Sequence, residues 1–177
     1  MSKTALLVID MQRCLVEDNP YDGERIVKNI KKLIDSARKN NKEVIFVRHN
    51  DENDSEMKKG AEGWYIYDDL APLDNEYIVE KTFNSAFHKT NLKEYLDIKS
   101  IDTLIITGMQ TEYCIDATIK SAFDNEYKII VPDGTNTTYD NEYMSGEKTV
   151  EFYNYGIWNN RFADVISVDD VIKRIEG

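Results

Sequence analysis

The sequence predicts an α/β fold, a doubly wound and mainly parallel sheet of about six strands with helices on both faces. Residues 5–9 form a continuous apolar run, which is typical of a parallel strand buried on both faces. Residues 25–39 then place their apolar side chains at helical spacing and carry a lysine-rich outer face. Because strands and helices alternate in this way along the chain, the sheet is expected to be parallel and covered on both sides.

The first half of the chain contains three predicted strands and a second, shorter helix. The strands are expected at residues 5–9, 44–47 and 78–81. The polar and acidic stretch 50–60 lies between the second and third strands and is predicted to be a loop. Thr90 or Asn91 can cap the short helix, which contains Leu92 and Leu96.

The second half of the chain continues the alternation. Strands are expected at residues 101–107, 128–131 and 165–168. Gly108 follows the first of them as a turn residue, and residues 112–125 are predicted to form a helix that turns its apolar side chains, Phe123 among them, inward. Beyond the second of these strands we expect a polar loop at 135–143, a helix within 145–155 and a terminal helix capped by Asp169.

Composition and charge narrow the class of protein. The 177 residues suffice for one domain with a substantial core, and the whole chain, 1–177, is predicted to form that domain. The net charge of −11 argues against nucleic acid and anionic membranes as partners. The first apolar run is too short for a signal peptide or a membrane span, so a cytoplasmic location is expected. Cys14 and Cys114 would stay reduced there, and Cys14 is expected to be a core residue.

Three chemically reactive residues each follow the end of a predicted strand. Asp10 ends the first apolar run, Lys81 ends the third, and Cys114 lies where the fourth strand turns into a helix. In an open parallel sheet the carboxyl ends of the strands share one edge, and ligands bind in the crevice there. Asp10, Lys81 and Cys114 are therefore predicted to converge on one site.

The chemistry of these side chains favours covalent catalysis by the thiol. A helix amino terminus stabilises a thiolate, and Thr111 as N-cap would put Cys114 in the first turn, where backbone N–H groups can bind an oxyanion. Asp10, kept ionised by Lys81, could take the thiol proton and pass it to a leaving group. Each residue also has a simpler explanation: a small buried hydrophobe for Cys114, a helix cap for Asp10 and a solvated lysine for Lys81.

Three segments of the chain share a pattern with one known family. They are the runs LLVIDMQ at 6–12, KTFNSAF at 81–87 and TGMQTEYC at 107–114. In this combination and order they resemble the isochorismatase-like cysteine hydrolases of the isochorismatase/nicotinamidase superfamily. The resemblance implies a Rossmann-like sheet and an Asp-Lys-Cys triad, carried by Asp10, Lys81 and Cys114.

The resemblance also implies how the site would work. A cis peptide bond would join Met109 and Gln110, and the backbone N–H groups of Gln110 and Cys114 would form an oxyanion hole. The implied chemistry is hydrolysis of a C–N bond in a small-molecule amide through a thioester, with no cofactor. Since members of the family commonly assemble, a homo-oligomer, a dimer or larger, is implied as well.

Five further residues are candidates for the substrate pocket. Gln12 could orient a polar group of the small-molecule substrate. The aromatic residues that could wall the pocket are Trp64, Phe83, Phe87 and Tyr113. The alternative for these aromatic side chains is ordinary core packing.

A metal site is not predicted. Nicotinamidases of the family carry an Asp-x-His motif with a second histidine downstream, whereas this chain has His49-Asn50-Asp51, the reverse order, and His88 as its other histidine. Transition metals prefer several converging imidazoles or carboxylates. The acidic residues around Asp51 are therefore interpreted as a solvated loop.

Two other functions remain open for this sequence. A vinyl-ether hydrolase of the isochorismatase type would rely on Asp10 as an acid and would not depend on Cys114. A catalytically silent member of the family would bind a ligand on the same fold without turning it over. The presence of Cys114 favours amide hydrolysis over the first alternative.

Overall fold

The strands pair through one parallel sheet in the computed structural model, which describes residues 3–177. Within those residues, strands β1 to β7 span, in chain order, Thr4–Ile9, Glu43–His49, Tyr77–Lys81, Thr103–Met109, Lys128–Pro132, Asn136–Thr137 and Asp164–Ile166. Six of them lie in the order β3-β2-β1-β4-β5-β7, and β6 pairs with β4 outside this path. All of these pairings are parallel, which confirms the predicted α/β sheet.

Helices connect the strands and cover the sheet. In the described part of the chain, α1 to α6 span Arg13–Val16, Gly23–Lys39, Leu92–Lys99, Asp116–Asp124, Gly146–Glu151 and Val168–Glu176. Two 3-10 turns, Glu62–Trp64 and Asp68–Leu70, precede β3, while π-helical turns at Thr111–Ile115 and Phe152–Trp158 adjoin α4 and α5. None of the helices within residues 3–177 has the length and apolar character needed to cross a membrane.

The side chains of β1 alternate between two layers of core. Ala5, Leu7 and Ile9 pack on one face of the sheet with apolar residues of α3 and α4. Leu6 and Val8 pack on the other face with apolar residues of α2 and α6. Each fully buried aliphatic side chain contributes about 1.5–3 kcal/mol, so the two layers hold the sheet, and with it the strand ends, in a fixed position.

A short polar strand lies where the sequence predicts a loop. β6 pairs with the end of β4, and both of its residues are fully buried. Thr111 Oγ1 donates to Asn136 Oδ1, and Asn136 Nδ2 donates to Asn154 Oδ1, so these buried polar groups have partners. The prediction is wrong here because hydrogen bonding, rather than a run of apolar side chains, holds this strand in the sheet.

Two details of the helices also differ from the prediction. Ser167 caps α6 by accepting from the backbone N–H of Asp170 at 3.1 Å, so the cap is not Asp169. Phe123 is 46% exposed and packs edge-on against Phe162 instead of facing the core. Phe123 lies on α4 beside the stripe of residues that faces the sheet. Helical spacing alone did not distinguish its position from one within that stripe.

Gly108 lies inside β4 rather than after it, with a φ of +121°. A Cβ added to this residue would be 1.9 Å from the carbonyl oxygen of Ile9 in the neighbouring strand β1. Only glycine combines this backbone conformation with so close an approach. The contact lies one residue before Asp10, so it sets the spacing of the strand ends that carry the reactive residues.

We expect Gly108→Ala to lower the free energy of unfolding by about 3 kcal/mol or more, because the methyl group must push β1 and β4 apart. Urea denaturation followed by circular dichroism measures this. Gly60→Ala is the matched control, since Gly60 also has a positive φ, +89°, but has nothing within 4 Å of the added Cβ. The control should lose only about 1 kcal/mol, and equal losses in the two variants would contradict the close-approach explanation.

Candidate active site

The carboxyl edge of the sheet brings Asp10, Lys81 and Cys114 into contact. Asp10 follows β1, Lys81 ends β3, and Cys114 lies in the π-helical turn after β4. Lys81 Nζ is 2.6 Å from Asp10 Oδ2 and 3.2 Å from Cys114 Sγ. The side chains of Lys81 and Asp10 are 0% and 2% exposed, and Cys114 is buried as well. The three residues thus form one buried cluster at the edge where their positions after the strands predict it.

His49 completes this cluster, although sequence reasoning did not include it among the site residues. It ends β2, pairs in register with Lys81 on β3, and places Nδ1 2.9 Å from Lys81 Nζ. Since β2 lies between β1 and β3, a lysine that reaches from β3 to Asp10 must pass the end of β2. The available signal was a histidine two residues beyond the predicted strand 44–47, at the same sheet edge as the other strand ends.

The ammonium of Lys81 has an acceptor for each of its three N–H groups: Asp10 Oδ2, His49 Nδ1 and Cys114 Sγ. A buried charge is tolerated only when it is paired and hydrogen-bonded in this way. Burial lowers the pKa of Lys81, but the neighbouring Asp10 and Cys114 outweigh burial and raise the pKa above its ordinary value. Lys81 is therefore a permanent cation at the centre of the cluster.

The same cluster contains atoms of the kinds that bind metals. Asp10, His49 and Cys114 each offer a ligand atom, and these atoms lie within 4.8 Å of one another. Lys81 Nζ is at hydrogen-bond distance from all three residues, so an ammonium already supplies the positive charge between them. Asp51, in the acidic loop, accepts a hydrogen bond from the backbone N–H of Asn53 in its own turn.

The thiol of Cys114 is protonated in the resting site. Burial and, next, the Asp10 carboxylate raise the pKa of Cys114 to about 12, against the opposing effect of Lys81. Burial and the Asp10 carboxylate thus oppose the thiolate that the sequence favours at this position. Thr111 is not the N-cap: Gln110 holds that position, and the Thr111 hydroxyl donates to Asn136.

Asp10 keeps one carboxylate oxygen without a hydrogen-bond partner among the described residues. This oxygen, Oδ1, is buried, while Oδ2 accepts from Lys81. The backbone of Asp10 is held by a hydrogen bond from its N–H to the Val47 carbonyl at 2.9 Å. A buried acceptor that is not in use, in the same cluster as a protonated thiol, is suited to receive the thiol proton.

The peptide bond between Met109 and Gln110 is cis, as the resemblance implies. Met109 is the last residue of β4, and the π-helical turn that carries Cys114 begins two residues later. The backbone N–H of Ile115 donates to the Gln110 carbonyl at 3.1 Å and closes this turn. The oxyanion role of the Gln110 and Cys114 N–H groups stays a prediction.

Gln12 and Trp64 are packed differently from what a substrate pocket needs. Gln12 is fully buried, donates to the carbonyls of His49 and Trp64 at 3.0 Å each, and accepts from the His49 N–H at 2.8 Å. Both amide hydrogens of Gln12 are therefore used on the protein backbone, so Gln12 clamps the end of β2 instead of orienting a substrate. Trp64 is buried beneath the guanidinium of Arg48, which lies 3.4 Å from the ring centroid.

The other aromatic candidates lie in two different places. Phe83 and Phe87 line a surface cavity of about 680 Å³ with His88, and none of the three predicted triad residues lines that cavity. That Phe83 and Phe87 also wall the catalytic pocket stays a prediction. Tyr113 is 53% exposed and lies directly before Cys114, which leaves it the candidate best placed to meet a substrate.

Cys14 is half-buried in α1 rather than a core residue. Its short helix packs against the 3-10 turn Glu62–Trp64, and Cys14 itself belongs to neither core layer. Burial, Asp54 and Glu56 raise the pKa of Cys14 to about 11. Neither cysteine forms a disulfide.

A doubly wound parallel sheet that buries an acid, an ammonium and a thiol at its carboxyl edge is the architecture of a Rossmann-like hydrolase. Comparison with known families makes the assignment specific. The sequence profile of the Isochorismatase domain matches residues 4–170. The chain belongs to this family of hydrolases.

Relatives and solved structures agree with this assignment. The uncharacterized isochorismatase family protein YrdC of Bacillus subtilis is 27% identical, over 96% of this chain and 95% of its own length. N-carbamoylsarcosine amidase from an Arthrobacter species is 27% identical, over 87% of this chain and 62% of its own length. The crystal structure of a cysteine hydrolase from Pseudomonas syringae has a TM-score of 0.90 at 28% identity and covers 98% of this chain and 92% of its own.

The raised pKa of Cys114 determines how its thiol should react. With a pKa of about 12, the thiolate fraction grows throughout the range from about pH 5 to 9, so alkylation by iodoacetamide should accelerate about tenfold per pH unit. Peptide mass spectrometry measures the rate. In denaturant the profile should level off near the ordinary thiol pKa of about 8.5. A plateau below about pH 8 in the folded protein would contradict a buried, protonated thiol.

Lys81→Met should lower the free energy of unfolding by about 3–5 kcal/mol, because it leaves the Asp10 carboxylate buried without its cation. The double variant Asp10→Asn, Lys81→Met should be more stable than Lys81→Met alone, since no unpaired charge remains. Chemical denaturation of the wild type, both single variants and the double variant measures the coupling. Additive losses would show that the two side chains do not form a coupled ion pair.

Proposed function

We propose that the protein hydrolyses the C–N bond of a small-molecule amide through a thioester on Cys114. The observation that carries the proposal is the buried Lys81 ammonium between Asp10 Oδ2, at 2.6 Å, and Cys114 Sγ, at 3.2 Å. This arrangement places a base, a cation and a nucleophile within reach of one another. The similarity to N-carbamoylsarcosine amidase supports a C–N bond as the target.

The reaction begins with transfer of the thiol proton. Oδ1 of Asp10 accepts the proton from Cys114 Sγ as the sulfur attacks the carbonyl carbon of the amide. The Lys81 ammonium stabilises the negative charge as it develops on sulfur. A C–S bond forms, and the carbonyl oxygen takes up the negative charge. In this proposal the backbone N–H groups of Gln110 and Cys114 stabilise that charge by hydrogen bonds.

Asp10 then returns the proton to the leaving nitrogen. The C–N bond breaks, the amine or ammonia departs, and the acyl group remains on sulfur as a thioester. In the second half Asp10 takes a proton from water while the water oxygen attacks the thioester carbonyl. The C–S bond breaks, the carboxylic acid leaves, and sulfur recovers its proton from Asp10, so every atom and proton is accounted for.

A second candidate, hydrolysis of a vinyl ether with Asp10 as the acid, rests on the pKa of Cys114. A thiol whose pKa is raised to about 12 is not a nucleophile at rest, as expected where the cysteine is a bystander. However, that reaction needs Asp10 as a proton donor, whereas Oδ2 of Asp10 accepts a hydrogen bond from the Lys81 ammonium at 2.6 Å. Amide hydrolysis is therefore the function that the geometry supports better.

We expect at least one member of a panel of small amides and ureides to be hydrolysed, with ammonia or amine release as the measurement. Cys114→Ala and Asp10→Asn should each lower kcat/KM about a thousandfold or more, because both groups act in the same step. Cys14→Ala is the matched control and should retain activity, since that thiol lies outside the cluster.

The same variants separate the two candidates when a vinyl ether such as isochorismate is assayed beside the panel. Amide turnover by Cys114→Ala equal to that of the wild type would refute the thioester mechanism. Vinyl-ether hydrolysis that survives Cys114→Ala and is lost in Asp10→Asn would establish the second candidate in its place.

A further inference from the structure

The third acceptor of the Lys81 ammonium is the part of the cluster that the proposed reaction does not use. Lys81 donates to Asp10 and Cys114, which carry the chemistry, and to His49 Nδ1 at 2.9 Å, which does not. The contact to Cys114, at 3.2 Å, is the longest of the three. Because the three N–H directions of an ammonium are fixed relative to one another, the acceptor at His49 restricts where the other two can point.

The imidazole is itself held in place by a rigid support. Gln12 bonds to both the backbone N–H and the carbonyl of His49, and its second amide hydrogen bonds to the Trp64 carbonyl. The carbonyl of Lys81 in turn accepts from the N–H of Asn50, the residue after His49, at 2.8 Å. Backbone hydrogen bonds therefore hold both His49 and Lys81 in place at the ends of the neighbouring strands β2 and β3.

Only a neutral imidazole can make this contact. Burial and, next, the Lys81 ammonium lower the pKa of His49, while Asp10 and Asp51 act in the opposite direction without overcoming them. The charged groups that face His49 are thus Lys81, Asp10 and Asp51. In the neutral ring Nδ1 accepts from Lys81, so the ring proton lies on Nε2.

We infer that His49 is a positioning residue, whose neutral imidazole accepts the third N–H of Lys81 and so fixes the ammonium between Asp10 and Cys114. The inference rests on the proposed function, since the position of the ammonium matters for catalysis only if Cys114 is the nucleophile. Without this acceptor, one N–H of a fully buried ammonium would have no partner, which disfavours the charged form of Lys81. The cation that stabilises the Cys114 thiolate would then be weakened or turned away from sulfur.

The test compares variants that differ in the acceptor at position 49. His49→Leu removes the acceptor at similar bulk, whereas His49→Asn places Oδ1 the same number of bonds from Cβ as Nδ1. His88→Leu is the matched control, because His88 packs against Phe83 outside the cluster. The measurement is the alkylation rate of Cys114 by iodoacetamide from about pH 7 to 9, with Cys14 of the same protein as internal reference.

We expect His49→Leu to slow alkylation of Cys114 about tenfold at every pH, with Cys14 unchanged. His49→Asn should recover most of that loss, and His88→Leu should match the wild type. An unchanged Cys114 rate in a folded His49→Leu protein would overturn the inference, as would equal slowing in the leucine and asparagine variants. If the leucine variant does not fold, His49→Ala replaces it, since alanine also removes the acceptor, and the same slowing is expected.

Alkylation requires no substrate, so this test is independent of the amide assay. A His49-dependent rate in a protein that hydrolyses no amide would refute the proposed function and leave the positioning role standing. Where an amide is hydrolysed, His49→Leu should lower kcat more than it raises KM, because the lysine that it positions acts on the developing thiolate. Loss through KM alone would assign His49 to substrate binding and overturn the inference.

Discussion

The burial of one ammonium group governs the arrangement of this site. Lys81 comes from β3, whereas Asp10 follows β1, and the two strands are separated by β2. Neighbouring strands lie about 4.8 Å apart, so the lysine must extend across the end of the strand between them. A cation that crosses this space away from water needs an acceptor at every N–H, and the strand it crosses provides one in His49. The close packing of Gly108 against Ile9 sets the spacing of β1 and β4, and the two core layers hold the sheet that carries all of these strand ends.

The charges of this cluster lie on the Asp10 carboxylate and the Lys81 ammonium rather than on the sulfur of Cys114. At Lys81 the neighbouring Asp10 and Cys114 outweigh burial and raise the pKa, whereas at Cys114 burial and Asp10 outweigh Lys81 and raise the pKa of the thiol. A buried ion pair of this kind adds little net stability compared with apolar side chains of the same volume. A buried pair at the sheet edge is understandable if it serves the chemistry, since the carboxylate can take the thiol proton while the ammonium compensates the charge that results.

The sequence predicted the parts of this protein that depend on strands, and it missed those that depend on buried polar contacts. Apolar runs locate the ends of β1 and β3 and place the end of β4 within two residues, which is why Asp10, Lys81 and Cys114 could be placed at one sheet edge. β6 could not be predicted, because Asn136 and its neighbours are held by side-chain hydrogen bonds that follow no periodic pattern. The raised pKa of Cys114 could not be predicted either, since it comes from burial and from the nearby Asp10 carboxylate, which only the fold brings about.

Gln12 takes no part in the proposed reaction, but its hydrogen bonds influence the geometry of the reactive site. A buried amide is costly unless its polar atoms have partners, and Gln12 uses its two N–H donors and its oxygen on three backbone groups. Those bonds join the segment after β1 to the end of β2 and to Trp64, so they fix His49 relative to Asp10. Because His49 fixes one N–H of Lys81, the distance between the ammonium and Cys114 Sγ depends on a residue that contacts neither group. The geometry of the cluster therefore depends on the backbone at the ends of β1 and β2, which carry Asp10 and His49, as well as on the segments that carry Lys81 and Cys114.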